Sequence, residues 1–217
     1  MSKRRQWLSL GIGIAWVFCA YVLIKLLLRY VPNDFPSQLR MPLIIGCNWL
    51  IGLGPLALSI RDKHRFFETK RLDLQLLWGL AAALVPSLLL TVLPHLVGLG
   101  HMVGGSAHYT PMALLREAIT YLIAVALVEE FVFRGFVYRR LKQLIPSEWA
   151  VMWISSGLFG LFHFMNGDFL QPLVTGALGF FWCLCRKKLP HCTLLSLIVG
   201  HAVYDWLICL WAYIFAA

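Results

Sequence analysis

Six ionisable residues interrupt apolar runs in the second half of this chain: Glu129, Glu130, Arg134, His163, His201 and Asp205. Carboxylates and imidazoles take and give protons near neutral pH, and both also ligate metals. Glu129 and Glu130 follow Ala124-Val125-Ala126-Leu127-Val128, and Arg134 completes an E-E-x-x-x-R spacing. His163 closes Phe159-Gly160-Leu161-Phe162-His163, and His201-Ala202-Val203-Tyr204-Asp205 brings the last two. An ionisable group in hydrocarbon costs roughly 2.5–3.5 kcal/mol on insertion scales, so each is a functional candidate. The simplest common explanation is that three helices bring these groups together.

Helical geometry divides the six. Glu130 and Arg134 are four apart with the acid first, the favourable order for an ion pair. Glu129 points about 100° away from Glu130, which leaves it the less strongly paired carboxylate. His201 and Asp205 share a face, and so do Phe159 and His163, which places an aromatic beside that histidine. A structural ion pair plus lone buried histidines would explain any one of these features; it explains all three groups poorly.

The elements that must position these groups are transmembrane helices. Of 217 residues, 60% are apolar and 13% charged, where soluble domains carry about 25% charged residues. The apolar residues fall in blocks roughly 20 long, the length that crosses about 30 Å of hydrocarbon. Seven spans are expected: Trp7–Leu28, Met41–Ile60, Leu74–Val97, Met112–Phe133 or a little beyond, Trp149–Phe164, Phe169–Cys185 and Cys192–Phe215. The first resembles a signal peptide in its Lys3–Arg5 start, but its run is long and lacks a clear cleavage site, so it reads as a retained anchor. The fold class is an all-α, polytopic transmembrane bundle forming a single domain over 1–217. Residues 1–110 carry no assigned motif, and 111–217 hold the catalytic helices.

The net charge of +9 does not imply nucleic acid, because the basic residues cluster between apolar blocks. They lie at Lys3–Arg5, at Arg61, Lys63, Arg65, Lys70 and Arg71, at Arg139, Arg140 and Lys142, and at Arg186–Lys188. A cytoplasmic N-terminus puts all four clusters inside, as the positive-inside rule requires. Lys25 lies near a span end and snorkels, and Arg116 and Glu117 sit at the outer interface. The six cysteines have no paired zinc spacing. His95, His101 and His108, in or near an outer loop, could together bind a metal, but scattered loop histidines are usually without a site, and that is the expectation here.

The three polar motifs resemble the CPBP family, the CAAX proteases and bacteriocin-processing intramembrane proteases. That family's hallmarks are E-E-x-x-x-R, F-x-x-x-H and H-x-x-x-N or H-x-x-x-D. Phe133-Arg134-Gly135, Ser155-Ser156-Gly157-Leu158-Phe159-Gly160 and the Gly176/Gly179 run before Arg186 are similar to the family's flanks. The resemblance covers roughly Leu115 to Leu210. It implies a glutamate-dependent endopeptidase working inside the membrane. It further implies that Glu129 and His163 activate a water, that His201 and Asp205 polarise the scissile carbonyl, and that Arg134 holds the glutamate pair.

Asn is common at the last position of the family pattern, where this chain has Asp205. An ionised aspartate would repel an oxyanion, so Asp205 is expected either to be protonated or, preferably, to orient His201. No Ser–His–Asp or Cys–His arrangement competes, because Ser155 and Ser156 lack a placed acid. A metal-free site is favoured; the alternative is zinc held by His163, His201 and Glu129. The expected partners are the lipid bilayer and a membrane-tethered peptide or protein substrate, with C-terminal or leader processing as the task. No nucleic-acid partner is expected, and the sequence does not fix an oligomeric state. The localisation expected is a prokaryotic inner membrane. A non-catalytic scaffold or immunity protein, or a transporter with a buried charge network, is the alternative from another class.

Depth adds one condition. With about 1.5 Å per residue, His163 lies far along its helix if that helix starts at Trp149. The expected remedy is a start near Pro146, with Arg139–Leu144 as an interfacial segment after a break at Gly135.

Overall fold

In hydrocarbon every backbone polar group must be satisfied within the chain, and helices do this segment by segment. A computed structural model describes residues 2–32, 34–60, 66–100, 109–164 and 169–216. Among them there are helices and no strands. Seven helical runs follow in order: α1 (Lys3–Leu28), α2 (Ser37–Ile60), α3 (Leu72–Leu96), α4 (Pro111–Leu144), α5 (Glu148–His163), α6 (Leu170–Lys188) and α7 (Leu194–Ala216). These are the seven expected segments. Five of them, α1 to α4 and α7, are long and apolar enough to cross a membrane. α5 has 16 residues, about 24 Å of helix, short of a full hydrocarbon crossing. α6 is longer but ends on Arg186, Lys187 and Lys188. His101 and His108, and the basic residues Arg61, Lys63 and Arg65, lie outside the described residues.

The break expected at Gly135 does not occur. α4 runs unbroken for 34 residues, through two π-helical stretches, Tyr121–Ala126 and Phe131–Val137. These bracket one α-helical turn, Leu127–Glu130. Glycine is well tolerated in membrane helices, where neighbouring groups and local π adjustments re-satisfy the backbone. The chain therefore widens at Gly135 and continues. Tyr138–Leu144 is the end of the same helix, not a separate segment. α5 then starts at Glu148, close to Pro146 as expected, with the Ser147 hydroxyl accepting the amide of Ala150 at 3.3 Å. α4 starts on Thr110, whose hydroxyl accepts the amide of Ala113 at 3.2 Å, with Pro111 in the first helical position where its missing N–H costs nothing.

The chain divides into two compact units. The first comprises Met1–Phe66 and Val128–Leu184. Its core gathers Leu10 of α1, Phe136, Val137, Tyr138 and Leu141 of α4, Val151 and Met152 of α5 and Cys183 of α6. The Tyr138 hydroxyl donates to Glu148 at 3.0 Å, and Lys142 pairs with the same carboxylate at 3.2 Å, which fixes the corner between α4 and α5. α5 and α6 cross at Gly160, where any Cβ would run into the carbonyl of Pro172 and the backbone of Gly176. Small residues let membrane helices approach this closely.

The second unit comprises Phe67–Leu127 and Cys185–Ala217. Here α3 and α7 make the closest packing: a Cβ at Gly79 would stand 2.9 Å from the Ser196 carbonyl. Fully buried Gln75 donates to the carbonyls of Glu68 and Lys70 at 3.0 and 2.7 Å and receives the hydroxyl of Thr193. Thr193 also opens α7, accepting the Leu195 amide at 3.2 Å while Ser196 accepts the amide of Thr193 at 3.1 Å. Near the N-terminal end of α4, Arg116 and Glu117 pair at 3.3 Å with the guanidinium exposed, and Trp206 donates to the Leu114 carbonyl at 3.1 Å.

Candidate active site

Glu129 and Glu130 ride the single α-turn between the two π stretches of α4. Both are buried, at 7% and 0% exposure. Arg134, one turn on, is buried completely and donates from Nη1 to Glu130 Oε1 at 2.8 Å. An ion pair without solvent needs further contacts to offset its desolvation. The guanidinium finds them on α5 and α6, lying 4.2 Å from the ring centre of Phe159 and 5.7 Å from that of Trp182. Gly179 of α6 makes room for it: a Cβ there would stand 2.6 Å from Nη2 of Arg134 and 3.0 Å from the Phe159 ring. Arg134 thus joins three helices of one unit at a single point, with Glu130 as its counter-ion.

Glu129 turns toward α5. Its Oε2 lies 3.7 Å from Nε2 of His163, with the imidazole 15% and the carboxylate 9% exposed. The other ring nitrogen, Nδ1, is 2.9 Å from the carbonyl of Phe159. A carbonyl only accepts, so Nδ1 carries a proton, and in the neutral ring Nε2 presents its lone pair to Glu129. The 3.7 Å separation exceeds a direct hydrogen bond. It lets one water touch both atoms at about 2.8 Å, the reach required of a general base.

Aromatic rings hold the histidine in place. Phe159 and Phe162 stand edge-on to it at 4.8 and 5.5 Å, and Phe133 of α4 packs on both at 5.2 and 5.6 Å. Tyr21 of α1 packs at a tilt on Phe162 at 4.5 Å, bringing a helix without a motif to this cluster. Trp182 and Tyr21 had no role in the reading of the sequence, and Gly179 entered it only as part of a flanking glycine run. An aromatic or a glycine in an apolar helix has the same pattern whether it lines a site or fills a core. Only the Gly176/Gly179 run carried a signal.

The third motif lies in the second unit. His201 is 4% exposed, and its Nε2 is 3.4 Å from Oδ2 of Asp205. The i, i+4 spacing places the two side by side on α7 as expected. One turn further on, Cys209 Sγ meets the Tyr121 hydroxyl at 3.4 Å. His95, the described member of the outer-loop histidines, stacks face to face on Phe215 at 4.3 Å with Nδ1 on the Thr91 carbonyl at 2.7 Å. It is accounted for by packing. Among the described residues no three His, Cys, Asp or Glu side chains come together to hold a metal ion. Within the first unit Glu129 and His163 supply one carboxylate and one imidazole, and catalytic zinc takes three protein ligands.

Among its described residues the chain is an all-helical membrane protein with a carboxylate, an imidazole and a buried arginine inside its helices. Residues 111–207 match the family model described as Type II CAAX prenyl endopeptidase Rce1-like. That stretch, a little under half of the chain, is similar to the CPBP/CAAX proteases, the resemblance that its three polar motifs carry. No curated protein and no solved structure matches the chain.

Proposed function

We propose that this protein hydrolyses a peptide bond of a membrane-associated peptide or protein, using a water activated by Glu129 and His163. The observation that carries the reading is the buried 3.7 Å juxtaposition of Glu129 Oε2 and His163 Nε2, with the imidazole tautomer fixed by the Phe159 carbonyl. Glu129 removes a proton from the water as its oxygen attacks the scissile carbonyl. The imidazole orients that water through its Nε2 lone pair. The proton held on Glu129 then passes to the leaving amine, so the pair ends the cycle as it began.

His201 is assigned to the developing oxyanion and Asp205 to orienting His201, on the strength of the family motif and their 3.4 Å contact. Glu130 and Arg134 support the pair without touching the substrate. The reaction is metal-free in this reading; zinc on Glu129, His163 and His201 is the rival that chelator-sensitive cleavage would favour. The substrate is tethered to the membrane and trimmed at its C-terminus or its leader, in the inner membrane of a prokaryotic cell.

The test is cleavage in reconstituted vesicles and in cells. Glu129→Gln and His163→Ala each lower turnover by about 100-fold or more, and an uncleaved membrane-tethered peptide accumulates in cells carrying Glu129→Gln. A fully active Glu129→Gln protein would end this reading.

A further inference from the structure

Ser155 lies outside the polar motifs, yet it joins the two helices that carry Glu129 and His163. Its side chain is fully buried, and its hydroxyl donates to the carbonyl of Phe133 at 2.9 Å. That carbonyl also accepts the amide of Tyr138, five residues on. In a regular α-helix it would accept from the residue four on. A side chain inserted into the hydrogen-bond ladder opens a helix locally, and Ser155 stands at the widened turn. The Phe133 ring meanwhile packs on Phe159 and Phe162, the two rings edge-on to His163. Phe133 is therefore held to α5 by its carbonyl and by its ring, one turn after Glu129.

The geometry points to Ser155 as a positioning residue: its hydroxyl locks the π stretch Phe131–Val137 to α5 and so sets the separation between Glu129 and His163. A nucleophilic role is excluded by the same hydrogen bond, since the hydroxyl proton is committed to a backbone carbonyl and no base lies beside it among the described contacts. Rare π segments occur often at functional sites, and here the one that follows Glu130 has an identifiable clamp. This inference rests on the reading of Glu129 and His163 as the water-activating pair, but its principal readout needs no substrate.

The experiment uses the full chain labelled with ¹⁵N-histidine in phosphatidylethanolamine–phosphatidylglycerol vesicles, observed by solid-state NMR. The His163 signals are those that vanish in His163→Asn. In Ser155→Ala the His163 Nε2 signal moves while those of His201 stay, and Ser155→Thr, which keeps the hydroxyl, restores the wild-type position. Turnover in Ser155→Ala falls about tenfold with KM unchanged. If Ser155→Ala does not fold, Ser155→Cys, close in size and a weaker donor, gives the same readout. An unmoved His163 signal in the folded variant overturns the inference, whatever happens to thermal stability. An active Glu129→Gln protein, by contrast, overturns the catalytic reading and leaves the positioning result standing.

Discussion

At the scale of single residues, charge placement decides what each group can do. Arg134 and Glu130 are both without solvent exposure, so neither survives alone without cost. Removing one partner of a buried pair strands the other and costs about 3–5 kcal/mol. Arg134→Ala and Glu130→Ala are each expected to lower the unfolding midpoint in detergent sharply. The double variant should be less damaged than the sum of the two, since it strands no charge. Arg134→Lys does not rescue, because an ammonium cannot both reach Glu130 and lie flat on Phe159. Additive losses in that cycle would count against a coupled pair. Asp205 is argued on different grounds. If it orients His201 as a hydrogen-bond acceptor, Asp205→Asn keeps the shape but weakens the bond, and turnover falls about tenfold or more, matching the roughly 1.5–3 kcal/mol of a charge-assisted bond. An unchanged or faster rate would instead favour a donor role at this position, as in family members with Asn.

At the scale of elements, close approach replaces the hydrophobic effect, which does little between helices already in lipid. α6 presses its Gly179 onto the Arg134 guanidinium and the Phe159 ring. Gly179→Ala inserts a methyl group 2.6 Å from Nη2, an overpacking that costs about 1–3 kcal/mol. Because the displaced group is the arginine that holds Glu130, activity should fall together with the thermal midpoint, which a paired turnover and melting measurement reads directly. A wild-type melt for Gly179→Ala would show that α6 yields freely. Much at this scale was legible in the sequence. The seven helical runs followed from block length, and the three motifs followed from polar residues out of place in apolar runs. The π stretches did not. They change which carbonyl an amide finds, and an apolar run such as Phe131–Val137 contains no polar face to report its period. Gly135 suggested a break for a related reason: glycine weakens helices in water, but in the bilayer the freed backbone groups are recaptured, here with the help of Ser155 on the Phe133 carbonyl.

At the scale of the whole molecule, the basic residues predict how the chain is oriented in the bilayer. Large side chains such as Leu23, Leu27, Leu89 and Leu173 are more than half exposed; on a protein in water such a surface would aggregate, and in a bilayer it meets lipid. The four basic clusters stand at the start of α1, between α2 and α3, at the end of α4 and at the end of α6. Every one of these falls on the same side if all seven runs cross, including the 16-residue α5, whose shortness is met by local thinning of the bilayer or by burial against its neighbours. Seven crossings with the N-terminus inside therefore predict a labelling pattern in intact cells. In a background with the six native cysteines replaced by serine or alanine, Lys70→Cys and Lys187→Cys react with an impermeant maleimide only after the membrane is opened. Asp34→Cys and Thr110→Cys react without opening. If α5 and α6 instead formed a re-entrant pair, Lys187 would still label from inside, so the discriminating position is Phe169 at the start of α6: Phe169→Cys labels from outside when both helices cross. Protection of Phe169→Cys from an outside reagent would reduce the crossings to five and require α5 and α6 to lie within the bilayer as a pair, held by the Gly160 contact with Pro172 and Gly176.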